Sequence, residues 1–233
     1  MKGELILQHF WVVGTDTDVG KTFVTTILMR TFQKFNKQVL PFKPVQTGVL
    51  TSDNDLYYYD TTMYERYSQQ ILLTNDTMCY CYKAPTSPHY AAQLENDHIK
   101  PEVIIERIQQ HSQQYEVMIC EGAGGLYVPL HRQPIYYLLD LVKASQLATV
   151  LVTKTGLGTI NHTLLALQAL NNNNITVLGI VFNGFENTQL EQENIDVIIA
   201  QTQLPFAVIP KLAKEQDLEN LTLEQTTLWE ALR

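Results

Sequence analysis

The stretch with the clearest chemical potential reads Gly14-Thr15-Asp16-Thr17-Asp18-Val19-Gly20-Lys21-Thr22. It combines glycines, a lysine and a hydroxyl between an apolar run and a helix-periodic one, the context in which a loop binds phosphate. Backbone N–H groups of such a loop and of the helix start face one concavity, where an anion satisfies donors that have no intrahelical partner. Lys21 would reach the β- and γ-phosphates, and the Thr22 hydroxyl would ligate Mg²⁺. The fit is imperfect: Thr15 stands where the standard pattern has Gly, and Gly14 sits one place early, while the Gly-Lys-Thr ending is intact. An ordinary strand-turn-helix could carry that ending by chance; the flanking elements favour phosphate. The loop implies a nucleotide and no particular reaction.

Other residues could complete such a site. Glu121 directly follows an apolar strand-like run ending at Cys120, and an acid at the carboxyl edge of a sheet is where a P-loop protein holds its metal. Gly122, Gly124 and Gly125 allow backbone to approach a ligand closely. Asp53 and Asp55, in Thr-Ser-Asp-Asn-Asp, could each serve a hard cation; a loop Asp more often makes a turn, and spacing does not choose between them. Lys43 precedes Pro44, and Thr47 and Gly48 follow in Lys-Pro-Val-Gln-Thr-Gly. A lysine at a strand's carboxyl end points toward the crevice of Lys21, although a surface lysine is the plainer reading from spacing alone. His89 and His162 lack partners at metal-ligand spacing, and Cys79-X-Cys81 lacks the second half of a zinc site.

The positioning elements follow from the apolar pattern. Strands are expected over 9–14, 39–45, 115–120, 149–153, 175–182 and 206–209, and helices over 21–35, 102–110, 161–170 and 190–202. Apolar runs without alternation suit strands buried on both faces, and the βαβ rhythm argues for an α/β fold: a P-loop NTPase-type, doubly wound, mostly parallel sheet with helices on both faces. Residues 1–233 are expected to form a single domain. Residues 51–90, polar and rich in tyrosine, read as a lid-like insertion. The chain has 233 residues and 24 acids against 16 Lys and Arg, for a net charge of −8. That balance argues against nucleic acid or membrane surfaces as partners. No apolar run approaches the roughly 20 residues of a membrane span, and Gln8 and His9 make the N-terminus a poor signal peptide. Three cysteines form no evident disulfide framework. The expected location is the cytoplasm.

Six motifs occur in a telling order: 14–22 (GTDTDVGKT), 43–48 (KPVQTG), 85–89 (PTSPH), 120–130 (CEGAGGLYVPL), 156–162 (GLGTINH) and 181–184 (VFNG). Together they resemble the dethiobiotin synthetase family over nearly the whole chain. The resemblance implies ATP-dependent carboxylation of 7,8-diaminononanoate. One amine takes up CO₂ as a carbamate, the carbamate attacks the γ-phosphoryl group, and the second amine closes a cyclic urea. Carried over by motif, the nucleotide is bound by Asp18, Val19, Gly20, Lys21, Thr22, Phe23 and Asp55, by Glu121, Gly122, Ala123 and Gly124, by Asn183 and Gly184, and by Pro210, Lys211 and Leu212. The resemblance gives Mg²⁺ to Thr22, Asp55 and Glu121 and catalysis to Lys43 with Lys21. It gives substrate contacts to Thr17, Thr47, Gly158, Thr159, Ile160 and Asn161, the last four across a homodimer interface. Lys43 then has a charge to meet, which reverses the plainer reading. Related P-loop proteins offer two alternatives: a partitioning-type ATPase switch, or a ligase like the cobyrinic acid diamide synthases. The first usually carries an extra lysine early in the loop, where this chain has Thr15-Asp16-Thr17.

Overall fold

A computed structural model describes residues 8–52 and 55–233. The elements run β1 (Gln8–Gly14), α1 (Lys21–Lys34), β2 (Val39–Thr47), β3 (Val49–Ser52), β4 (Asp55–Tyr58), α2 (Tyr59–Tyr67), α3 (Thr74–Thr77), β5 (Met78–Tyr82), α4 (Pro88–Leu94) and α5 (Pro101–Gln114). There follow β6 (Val117–Gly125), β7 (Pro129–Arg132), β8 (Ile135–Tyr137), α6 (Leu138–Ser145), β9 (Ala148–Thr153), α7 (Thr159–Asn172), β10 (Val177–Phe185), α8 (Gln189–Thr202), β11 (Phe206–Pro210), a 3₁₀ turn (Glu215–Asn220) and α9 (Thr227–Leu232).

Seven strands form one sheet in the order β11-β10-β9-β1-β6-β2-β5, and every neighbouring pair is parallel. All of the expected strands are present. In β1 successive residues serve opposite faces. Phe10 and Val12 join the core beneath α1, α2 and α9, and Trp11 and Val13 join the core beneath α4 to α8. Both sets are buried, which is why the run shows no polar alternation. β1 lies between β6 and β9, and the chain leaves it in both directions, so a crevice opens at the carboxyl ends of the central strands, where open α/β sheets place ligands.

Residues 51–90 correct the expectation of a lid-like insertion. β3 and β4 pair as an antiparallel hairpin. α2 then buries Met63, Tyr64 and Tyr67 in the same core as α1. β5 pairs in parallel with β2 as the edge of the main sheet, Lys43 opposite Met78 and Thr47 opposite Tyr82. Much of this tyrosine-rich stretch is therefore integral to the sheet and its cover. Among the described residues no helix is long and apolar enough to cross a membrane.

Candidate active site

The loop between β1 and α1 owes its shape to two glycines. A Cβ on Gly14 would meet Val19 Cγ2 at 2.8 Å. Gly20 has φ +97° and caps α1, and a Cβ there would lie 2.0 Å from Asn183 Nδ2. Asn183, near the end of β10, uses that amide to donate to the Val19 carbonyl at 3.0 Å. Neither a capping side chain nor an acid occupies the first turn of α1, so its N–H groups face the crevice as anion donors. Lys21 is buried and folds back over the loop, its Nζ donating to the Asp16 carbonyl at 2.8 Å.

A compact charge cluster lies beside this loop. Glu121, on β6, is 1% exposed. The Thr22 hydroxyl lies 2.7 Å from Asp60 Oδ1 and 2.8 Å from Glu121 Oε1, its one proton facing two carboxylates. Lys43, on β2, sits between the same acids, 2.8 Å from Asp60 Oδ2 and 2.6 Å from Glu121 Oε1, and 3.3 Å from the Gly122 carbonyl. Tyr64 donates to Glu121 Oε2. Asp60 and Tyr64 are four residues apart on α2, one helical turn, and so present the same face to the cluster.

The two lysines respond oppositely to this surrounding. Burial and the neighbouring Lys43 charge push Lys21 down to about 8, against a weaker upward pull from Glu121, Asp60 and Asp18. Burial also opposes the charge on Lys43, but Asp60 and Glu121 in direct contact outweigh it and raise its pKa. Burial works against the Asp60 carboxylate too; the Lys43 charge and the Lys43 and Thr22 hydrogen bonds overcome it and hold its pKa low. The difference follows from contact: Lys43 touches both acids, whereas Lys21 donates to a carbonyl.

A pocket of about 440 Å³ opens over the cluster. From the sequence-derived set it brings together Thr17, Asp18, Gly20, Lys21, Thr22, Phe23, Lys43, Thr47, Glu121, Ala123 and Gly124, and it adds Val45, Tyr59 and Asp60. Val19 is buried beneath the loop. Asn183, Gly184, Pro210, Lys211 and Leu212 do not line this pocket, although Asn183 abuts the loop and the Lys211 amide donates to the Phe185 carbonyl at 2.9 Å. Asp53 and the side chain of Asp55 lie outside the described residues. Asp60, the oxygen donor that does meet Thr22 and Glu121, was missed from sequence, and the helical spacing of Asp60, Tyr64 and Tyr67 is the signal that could have found it. Among the described residues no group of three His, Cys, Asp or Glu side chains could hold a metal. Two carboxylates and a hydroxyl do converge here, an all-oxygen set of the kind Mg²⁺ accepts alongside phosphate and water.

Gly158, Thr159, Ile160 and Asn161 lie at the start of α7, outside this pocket. Gly158 caps that helix with φ +91° and no side-chain cap, as Gly20 caps α1. The buried Thr159 hydroxyl lies 2.9 Å from that of Thr153, which accepts from Thr15 at 3.3 Å and so ties the α7 start to the phosphate loop. Beside it a groove of about 510 Å³ runs from Gly14–Asp16 past Tyr127 and Val128 to His162 and Leu165. Its largely apolar rim exposes 61% of Tyr127 and 56% of Leu165, and Leu157 nearby is 91% exposed.

A parallel sheet with a phosphate loop after its central strand and an acid at the end of the adjacent one defines a P-loop NTPase-type α/β protein. Its fold is similar to that of the cell division ATPase MinD from Pyrococcus furiosus, with TM-score 0.58 and 18% identity over 89% of this chain and 84% of that one; at that identity the likeness concerns fold alone. The family described as AAA domain matches residues 8–221. The chain is 51% identical over 226 residues to the ATP-dependent dethiobiotin synthetase BioD of Lysinibacillus sphaericus (strain C3-41), covering 97% of each. It is 37% identical over 209 residues to the ATP-dependent dethiobiotin synthetase BioD of Fusobacterium nucleatum, covering 90% of this chain and 94% of the relative. The chain belongs to the ATP-dependent dethiobiotin synthetase family, and is thus an ATP-dependent ligase.

Proposed function

We propose that this chain makes dethiobiotin from 7,8-diaminononanoate, CO₂ and ATP, by way of a carbamate and a carbamic-phosphoric anhydride. The observation that carries the reading is the convergence of Lys21, Lys43, Thr22, Asp60 and Glu121 around one pocket at the end of the phosphate loop. Attack of a carbamate on the γ-phosphoryl group brings two anions together, so alignment and charge neutralisation dominate over covalent help from protein. Lys21 holds the β- and γ-phosphates. Lys43 meets the negative charge that grows between the carbamate and the phosphoryl oxygens. Thr47, further along β2 from Lys43 and lining the same pocket, supplies a hydroxyl to the diamine, and Thr17 lines that pocket too. Thr22, Asp60 and Glu121 are the ligands we assign to Mg²⁺, which supplies charge neutralisation on the phosphates. Asp60 takes the place that motif resemblance alone gives to Asp55, because its carboxylate lies within 2.7 Å of the Thr22 hydroxyl.

Asn183 and Gly184, with Pro210, Lys211 and Leu212, border the base. The uncapped start of α7, from Gly158 to Asn161, binds the substrate carboxylate of a second copy's site. That these residues do not line the pocket of their own chain, together with the apolar groove beside the loop, supports a homodimer that shares its active sites. The three free cysteines fit a reducing cytoplasm. The test is ATP turnover with and without diaminononanoate and bicarbonate, with the product identified by mass. Formation of dethiobiotin with strict dependence on the diamine is expected. Diamine-independent hydrolysis without that product would favour a partitioning-type switch.

A further inference from the structure

We propose that Tyr64 is a positioning residue that fixes how Glu121 presents its carboxylate, and thereby favours a small octahedral cation over a larger one; this rests on the metal reading above. Tyr64 is fully buried among apolar side chains, including Met63 and Tyr67 on its own helix. Phenylalanine would fill that space equally well. A buried hydroxyl is costly unless it is hydrogen-bonded, and this one donates to Glu121 Oε2. The other oxygen, Oε1, faces the Thr22 hydroxyl at 2.8 Å and Lys43 at 2.6 Å. With Oε2 held from behind by the Tyr64 hydroxyl and Oε1 facing Thr22 and Lys43, the carboxylate is held against rotation, which favours Oε1 as the single oxygen offered to an ion.

The denticity of that carboxylate matters for ion choice. Ca²⁺ accepts six to eight oxygens and often takes carboxylates bidentately, whereas Mg²⁺ demands near-ideal octahedral geometry at shorter distances. Supporting hydrogen bonds of this kind typically control about 10–100-fold of metal affinity or activity. α2 would therefore contribute twice to the site, with Asp60 as a ligand and Tyr64 as the brace behind another ligand one helical turn away.

The test is Tyr64→Phe in the full chain. Mn²⁺ binding with ADP present is read by electron paramagnetic resonance, Ca²⁺ competition is read in the same titration, and ADP affinity in EDTA reports the integrity of the loop. The expected result is about tenfold weaker Mn²⁺ binding, Ca²⁺ binding unchanged or tighter, unchanged ADP affinity in EDTA, and a matching rise in the Mg²⁺ concentration for half-maximal turnover. Mn²⁺ affinity within twofold of wild type overturns the proposal. So does a parallel loss of Mn²⁺, Ca²⁺ and metal-free ADP binding, which would make Tyr64 a packing residue only. Glu121→Gln separates the two levels: if it retains full Mn²⁺ affinity the metal reading itself fails, and if it loses Mn²⁺ while Tyr64→Phe does not, only the role of Tyr64 fails.

Discussion

Replacing Lys43 with methionine keeps most of the side-chain volume and removes only the ammonium. In the wild-type chain that ammonium lies 2.8 Å from Asp60 and 2.6 Å from Glu121, with the Lys43 and Glu121 side chains 6% and 0% exposed and that of Asp60 20% exposed. Removing one member of a buried ion cluster leaves the others uncompensated, which costs about 3–5 kcal/mol. For a domain of this length each kcal/mol moves Tm by roughly 2–4 °C, so Lys43→Met should melt roughly 6–20 °C below wild type. Part of that loss should return with a divalent cation, because the freed carboxylates then have a counter-charge. Catalysis should fall further than stability explains. Loss of one preorganised group facing transition-state charge costs about 10²–10³ in kcat, and the drop should appear at temperatures where circular dichroism shows the variant fully folded. The assays are thermal melts with and without Mg²⁺, and dethiobiotin formation at saturating ATP and diamine. A variant with kcat within tenfold of wild type and an unmoved Tm would refute the reasoning, since it would mean that Lys43 neither balances the acids nor meets the reacting anions.

Lys21 has a folded-state pKa of about 8 against an ordinary 10.5, so between those values the unfolded chain binds more protons and stability rises with pH by about 3 kcal/mol from this group; calorimetric melts of wild type against Lys21→Met across that window should show the rise in the former only. Because an incoming triphosphate favours the charged ammonium, ATP affinity should weaken as pH climbs above about 8, and an affinity flat from pH 7 to 9.5 by titration calorimetry would count against the role. Asp60→Asn should raise the Mg²⁺ concentration for half-maximal turnover at least tenfold, whereas Asp55→Asn should leave it near wild type; the reverse pattern would restore Asp55 as the ligand. Gly20→Ala forces a Cβ to 2.0 Å from Asn183 Nδ2 at φ +97°, which should cost about 1–3 kcal/mol and weaken nucleotide binding; an unchanged melt would show that the loop relaxes freely.

Much of the fold was legible because the buried parallel strands leave little ambiguity. β1, β6, β9 and β10 are apolar on both faces, and each runs into a motif residue at its carboxyl end. The residue pattern therefore places Glu121 and the Gly-Lys-Thr loop at one sheet edge, whereas Lys43, on β2, joins them only through the motif resemblance. β5 escaped because Met-Cys-Tyr-Cys-Tyr is a short edge strand, half-buried along most of its length; it has no Val, Ile or Leu to mark it and is set in a polar, tyrosine-rich stretch. Asp60 escaped for another reason. It meets Thr22 across 38 residues, a contact that exists only because α2 folds back over α1. Two nearer-looking aspartates at 53 and 55 drew attention to the preceding hairpin, when the helix-spaced Asp60, Tyr64 and Tyr67 carried the relevant pattern.

The same spacing explains why the site needs α2 at all. Lys21 and Lys43 line one pocket, and without nearby acids two buried ammoniums would repel each other and lose protons. Glu121 comes from the sheet, but one carboxylate cannot hold two buried lysines charged. Asp60 brings the second, and both acids are spent on Lys43, which stays charged, while Lys21 is left with a carbonyl and a pKa near the physiological range. On the function proposed above, a triphosphate at the loop would be the anion that Lys21 lacks. The pocket is thus electrostatically complete on the side of Lys43 and incomplete on the side of the phosphate loop, so that nucleotide binding and protonation of Lys21 are linked. A cluster built only for stability would leave no such imbalance, because each buried ammonium would have its own carboxylate in contact.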